Sequence, residues 1–185
     1  FVDDWINYKR GMWKSVFIKG NSGAHPVEED NLDKLCNSSR DTGNSTMIAC
    51  PGLWFYPKTN ALRININTFD LMVNSIDITN VPSNKWFCLA IVARHNQVDV
   101  YINGFLKQKL SLAGSIIRQN FSNLYINPHG GFSGKLSNLR YYDYAIGIND
   151  LMREVEAGPV TKSKTSPNYL SPPYLATNYW QNQYN

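Results

Sequence analysis

The sequence predicts an all-β chain: an antiparallel β-sandwich of the jelly-roll kind, with one short C-terminal helix and an extended C-terminal arm. Three observations predict it. Short runs that alternate apolar and polar residues recur along the chain, separated by turn residues. Asn103-Gly104 lies between two such runs, the strongest short hairpin signal. Helical spacing occurs only over Asn149 to Ala157, with Leu151, Met152 and Val155 on one face, and Gly158-Pro159 stops it.

The elements follow in order. Phe1 to Trp5 reads as the end of a strand whose start lies upstream, because the chain opens at Phe rather than Met. A leader or membrane anchor would sit in such an unseen segment. Trp13 to Lys19 is a β-rich run ended by Gly20, followed by a polar loop to residue 50 that carries Glu28, Glu29, Asp30 and Asp33. Gly52 to Tyr56 is a strand stopped by Pro57. Ala61 to Asn67 alternates with period two. Leu62, Ile64 and Ile66 take a buried face, and Arg63, Asn65 and Asn67 the opposite one, expected to be wet, whether open to solvent or at an interface. Val73 to Thr79 repeats the pattern, and Pro82-Ser83-Asn84 turns. Trp86 to Arg94 is the most apolar strand and is expected at the centre of its sheet. Val98 to Ile102 and Phe105 to Leu110 form the Asn-Gly hairpin, and Asn123 to Asn127 and Gly134 to Tyr142 supply two more strands.

Composition limits the partners. The chain of 185 residues is 43% hydrophobic, ample for a packed core, but only 17% charged. Asn fills the gap, with 22 residues. The resulting polar, weakly charged surface suits extracellular proteins and large assemblies. Of the net charge of +4, half comes from Lys162 and Lys164 near the C-terminus, and no basic stripe marks a nucleic-acid footprint. The longest unbroken apolar run is Trp86 to Ala93, far short of the roughly 20 residues of a membrane span.

Residues 1–158 are expected to form the sandwich and residues 159–185 the arm. The arm contains Pro172-Pro173, which excludes helix there, and shows no periodicity. It is nevertheless rich in anchors: Tyr169, Leu170, Tyr174, Leu175, Tyr179 and Trp180. Extended segments of this kind dock on a surface, either a neighbouring chain or their own domain.

The stretch from Val98 to Gly104, then Asn123 to Ile126, then Gly131-Phe-Ser-Gly-Lys-Leu-Ser-Asn-Leu-Arg-Tyr-Tyr-Asp-Tyr-Ala145 and the closing helix resembles the concanavalin A-like lectin/glucanase superfamily. The likeness is to its laminin G-like and pentraxin-like branch. Trp13 to Gly20 together with Pro51 to Ile64 resembles the version of this domain found in virion-associated proteins of large nucleocytoplasmic DNA viruses. The first resemblance implies the sandwich and says little about function. The second implies a minor capsid or capsid-associated protein, located in the virion. Its partners would be other major or minor capsid proteins, on which the arm docks. The alternative is a carbohydrate-binding, lectin-like module on a virion or cell surface, or secreted.

Catalysis finds little support. Glucanases of the superfamily set two glutamates on one strand face, because retaining cleavage needs an acid and a nucleophile about 5 Å apart. Here the glutamates are Glu28, Glu29, Glu154 and Glu156, and none lies between. Glu154 and Glu156 fall on different faces of the helix. The histidines, His25, His95 and His129, are isolated from any nucleophile motif. The chain therefore reads as non-enzymatic, with no catalytic residue and no cofactor. The resemblance allows calcium through loop groups such as Asp41, Asn44, Asp70, Asp77 and Asn127, but no spaced acidic loop supports it. No CxxC or Cys/His cluster indicates zinc.

Cys36 and Cys50 flank a polar loop, and a disulfide between them would stabilise by roughly 3 kcal/mol. Three free thiols are the other reading, and Cys88 reads as a buried thiol in either case. Three sequons occur, at Asn37, Asn44 and Asn120.

Overall fold

The computed structural model describes residues 1–26, 48–70, 74–112 and 116–160. They form ten strands and one α-helix: β1 (Val2–Asp4), β2 (Lys14–Gly20), β3 (Ala49–Phe55), β4 (Leu62–Ile66), β5 (Asn74–Ile78), β6 (Leu89–Arg94), β7 (Gln97–Ile102), β8 (Phe105–Ser111), β9 (Leu124–Ile126), β10 (Ser133–Gly134) and α1 (Ile148–Ala157). All pairing is antiparallel. A five-stranded sheet has the order β5-β4-β3-β2-β9, a three-stranded sheet the order β6-β7-β8, and β1 pairs with β10. The expected β-sandwich is the fold observed.

The core lies between the two larger sheets. Val16, Leu53, Phe55, Leu62, Ile64, Ile66, Ile76 and Ile78 face Val98, Val100 and Leu112 in one apolar cluster. Burial of this kind stabilises by roughly 25 cal/mol per Å² of apolar surface. Trp5 meets Phe55 edge-on at 4.7 Å, and Phe132 meets the same ring at 5.1 Å. These contacts tie the N-terminal loop and the β9–β10 connection into the core.

The hairpin predicted at Asn103-Gly104 is present, with positive φ of 52° and 82°. Asn103 also closes the strand before it. Its Oδ1 accepts from the Cys88 amide, and its own amide donates to the Cys88 carbonyl, both at 2.8 Å.

Three expectations are corrected. The strand read from Trp86 to Arg94 starts only at Leu89, and it is an edge: β7 is the centre of its sheet. Trp86 instead stacks on Phe1 at 5.7 Å, and Phe87 packs on the core. The strand read from Gly134 to Tyr142 is paired only at Ser133–Gly134. Asn138 takes a left-handed φ of 52°, which interrupts extension. Its side chain donates to the Gly158 carbonyl, and the Ser137 hydroxyl accepts from the Val160 amide, so this segment serves to fasten the end of α1. The wet face assigned to Arg63, Asn65 and Asn67 is buried. The expected Cys36–Cys50 loop lies mostly outside the described residues, and so do all the arm residues Tyr169, Leu170, Pro172, Pro173, Tyr174, Leu175, Tyr179 and Trp180.

Candidate functional site

The register of the five-stranded sheet sets Ser15, Trp54, Arg63 and Asp77 in one row across β2, β3, β4 and β5, on the face turned away from the core. The next row on that face is Ile18, Gly52, Asn65 and Ser75. Period-two pleating puts them there, and it is also why Leu53, Ile64 and Ile76 between the rows face inward. The Trp54 indole lies across Gly52, where a Cβ would collide with it. Ile18, Ala24 and Ala49 pack around the same indole, with Trp13 beside them. A sheet face that would be wet in isolation is thereby roofed.

Arg63 is the centre of a charged and aromatic cluster. Its Nε and Nη2 each donate to an Asp77 carboxylate oxygen at 2.7 Å, a bidentate geometry. Its guanidinium carbon lies 5.4 Å from the Trp13 ring and 5.3 Å from the Tyr56 ring, within cation–π range. The two rings are 4.5 Å apart. The Arg63 side chain is 9% exposed, whereas that of Asp77 is 38% exposed. Burial alone would raise the Asp77 carboxyl, but hydrogen bonds from Arg63 and Tyr56 and the charge of Arg63 outweigh it and hold it below the usual carboxylate range. Burial, with the hydrogen bond and charge of Asp77, pushes the Tyr56 hydroxyl up to about 12. Lys14 is buried at the end of the same sheet, and its ammonium donates to the Tyr56 and Pro57 carbonyls at 3.4 and 3.2 Å. The arrangement presents an ionised, half-open carboxylate beside two half-buried aromatic rings. A carboxylate accepts two hydroxyl donors at once, and an aromatic face packs on C–H surface.

Apart from this cluster, a concavity of about 410 Å³ opens where β3 begins and β4 ends. Cys50, Asn67, Arg118, Asn120 and Phe121 line it. Asn120 is engaged with the backbone: its Nδ2 donates to the Lys19 carbonyl at 2.7 Å, and its Oδ1 accepts from the Ser122 amide at 2.8 Å. The sequon at Asn120 is thus built into the fold, while those at Asn37 and Asn44 lie outside the described residues.

The remaining sequence candidates are dispersed. Asp77 and Asn127 sit at opposite edges of the five-stranded sheet, about 19 Å apart at four strand spacings. Asp70 lies in the β4–β5 connection, and Asp41 and Asn44 fall outside the described residues. Among the described residues no group of three His, Cys, Asp or Glu side chains is placed to hold a metal ion. Glu154 accepts from Arg140 at 2.5 Å and from the Tyr142 hydroxyl at 3.0 Å, a structural use. His129 is bound through Nε2 to the Ser22 carbonyl at 2.6 Å. Cys50 is a buried free thiol, 3.7 Å from the Asn67 carbonyl, and its expected partner Cys36 is not among the described residues. Cys88 is free but half-buried, not buried as expected, because it precedes β6 at an edge. Sequence reasoning missed Trp13, Tyr56 and Arg63 as a group. The signal was the alternation in β4, which becomes informative only with the register of β3 and β5.

A family model for the concanavalin A-like lectin/glucanases superfamily matches residues 34–150. The chain belongs to this superfamily. Among curated proteins no sequence matches it. Among solved structures it is similar to an S-layer domain-containing protein of Clostridium thermocellum ATCC 27405 (residues 221–444), with 13% identity and a TM-score of 0.31. That match covers 57% of this chain and 55% of the other, about half its length. Among the described residues no helix is long and apolar enough to cross a membrane.

Proposed function

We propose that the chain is a non-enzymatic binding module whose ligand is a hydroxyl-rich glycan, held at the outer edge of the five-stranded sheet. One observation carries the reading. The half-open carboxylate of Asp77 is kept ionised and fixed in place by a nearly buried Arg63, beside Trp13 and Tyr56. Such a carboxylate accepts paired sugar hydroxyls, and the rings pack on the sugar's C–H face. Membership of a superfamily that includes lectins supports it. The sequence adds that no glutamate pair lies between residues 31 and 153 to cleave what is bound. No metal or other cofactor enters this reading.

The test is a broad glycan panel probed with the wild-type chain and with Asp77→Asn and Trp13→Ala. Saturable binding that falls at least tenfold in both variants, with circular dichroism unchanged, is the expected result. A folded wild-type chain that binds nothing across the panel contradicts the reading.

A narrower reading concerns residues 159–185. The resemblance of Trp13 to Gly20 and Pro51 to Ile64 to virion-associated proteins, and the aromatic anchors of the arm, favour a capsid-associated protein whose arm docks on neighbouring capsid chains. Localisation would then be the virion. Removing 159–185 would abolish incorporation into the assembly while leaving the sandwich folded, and normal incorporation of the shortened chain would overturn this reading.

A further inference from the structure

The C-terminal side of the sandwich leaves an apolar strip uncovered. Ile148 and Met152 lie four residues apart, on one face of α1, and both are exposed. Leu151, the helix's buried anchor, points elsewhere. Met152 abuts the β7–β8 turn at Gly104, where a Cβ would collide with its sulfur. The next residue, Phe105, is 75% exposed. Single domains seldom leave a hairpin tip and a helix stripe bare side by side without an occupant.

We propose that this strip is the seat of the chain's own C-terminal segment, residues 161–185. Three observations choose this occupant. The segment continues directly from Val160, whose amide is fixed to Ser137 at 2.9 Å, three residues beyond the end of α1. Its 25 residues reach up to about 80 Å extended, against about 15 Å for the length of α1. Its anchors Leu170, Tyr174, Leu175 and Trp180 match the apolar strip in character. A tether of this length sets an effective concentration on the order of millimolar, so docking within one chain outcompetes docking between chains in dilute solution. The inference concerns the isolated chain and does not depend on the glycan reading.

The experiment is lysine cross-linking of the full chain at low micromolar concentration, in an equal mixture of ¹⁴N- and ¹⁵N-labelled copies. Links from Lys162 and Lys164 to Lys107, Lys109 or Lys135, all of one isotope, are expected. Mixed-isotope links would overturn the proposal in favour of docking on a second copy. Links mainly to Lys58, in the β3–β4 turn of the other sheet, would overturn the seat. Hydrogen exchange of the full chain carrying Tyr174→Ser and Trp180→Ser gives a second readout. Amides of Met152 to Val155 should exchange about tenfold faster than in wild type, and an unchanged rate contradicts the proposal.

Discussion

The outer face of the five-stranded sheet carries Ser15, Trp54, Arg63 and Asn65, and all four are buried. The β7–β8 hairpin carries Phe105 and Leu106, and both are exposed. Polarity alone would have placed Ser15, Arg63 and Asn65 outside and Phe105 and Leu106 inside. The first face is roofed by Trp13, by Ala24 and by the Trp54 indole itself, and its charges are neutralised within it. The hairpin and the adjoining face of α1 have no such roof among the described residues. Alternation along a strand assigns residues to two faces, but it does not say which faces a later segment will cover.

Substitutions sharpen this contrast, beginning with the core. Ile64→Ala should lower unfolding free energy by about 3–4 kcal/mol, while Phe105→Ala, on a strip covered by no more than the tethered C-terminal segment, should lower it by no more than about 1 kcal/mol. Urea denaturation of the two variants measures both, and similar losses would erase the distinction between a closed and an open side. Arg63→Met should cost about 2–3 kcal/mol, near the low end for breaking a buried pair, since Asp77 keeps some access to water. Gly52→Ala should cost about 1–3 kcal/mol, because the Trp54 indole must move from the sheet; a blue or red shift of tryptophan emission would accompany the loss.

The titrating groups of the roofed face give smaller effects. The Asp77 carboxyl is held below its usual range in the folded chain, so the stability it contributes is present above its unfolded pKa of about 3.9 and is lost as pH falls through its lower folded value. Asp77→Asn should be less stable than wild type at neutral pH, and the gap should narrow below about pH 4. Equal acid dependence in the two proteins would contradict the pairing. Tyr56, raised to about 12, favours the folded state fully below the unfolded value of about 10 and loses that contribution between about pH 10 and 12. Ultraviolet titration should therefore show a late phenol that Tyr56→Phe removes. The smallest effect is chemical: burial raises both thiols, so Cys50, the more enclosed, should alkylate more slowly than Cys88 in the native chain and at the same rate in denaturant. Resistance of Cys50 in denaturant until reductant is added would instead reveal a disulfide.

Much of the fold was legible because local rules and tertiary structure agree there. The Asn103-Gly104 hairpin, the β4 alternation and the stop at Gly158 rest on backbone conformation or pleating, which neighbours do not alter. Where a side chain is claimed by a distant partner, the reading failed. Gly134 to Tyr142 has strand-like composition, but Asn138 turns left-handed and serves the end of α1, 20 residues on. The alternation places Asp77 on a strand without naming its partner; Arg63 is 14 residues away and becomes its neighbour through the β4–β5 register. The apolar run into β6 has the composition of a central strand, but composition does not distinguish a buried middle strand from a partly buried edge strand, and Trp86 at its start leaves the strand to pack on Phe1.

Amide hydrogen exchange of the native full chain tests the asymmetry most directly. Leu53 to Phe55 and Leu62 to Ile66 should be protected at least a thousandfold more than the outward-facing amides of β8, since β3 and β4 are flanked on both edges and covered on both faces, while β8 is an edge strand. Protection in β8 equal to that in β4 would mean that the hairpin side is as closed as the other, and would contradict the account.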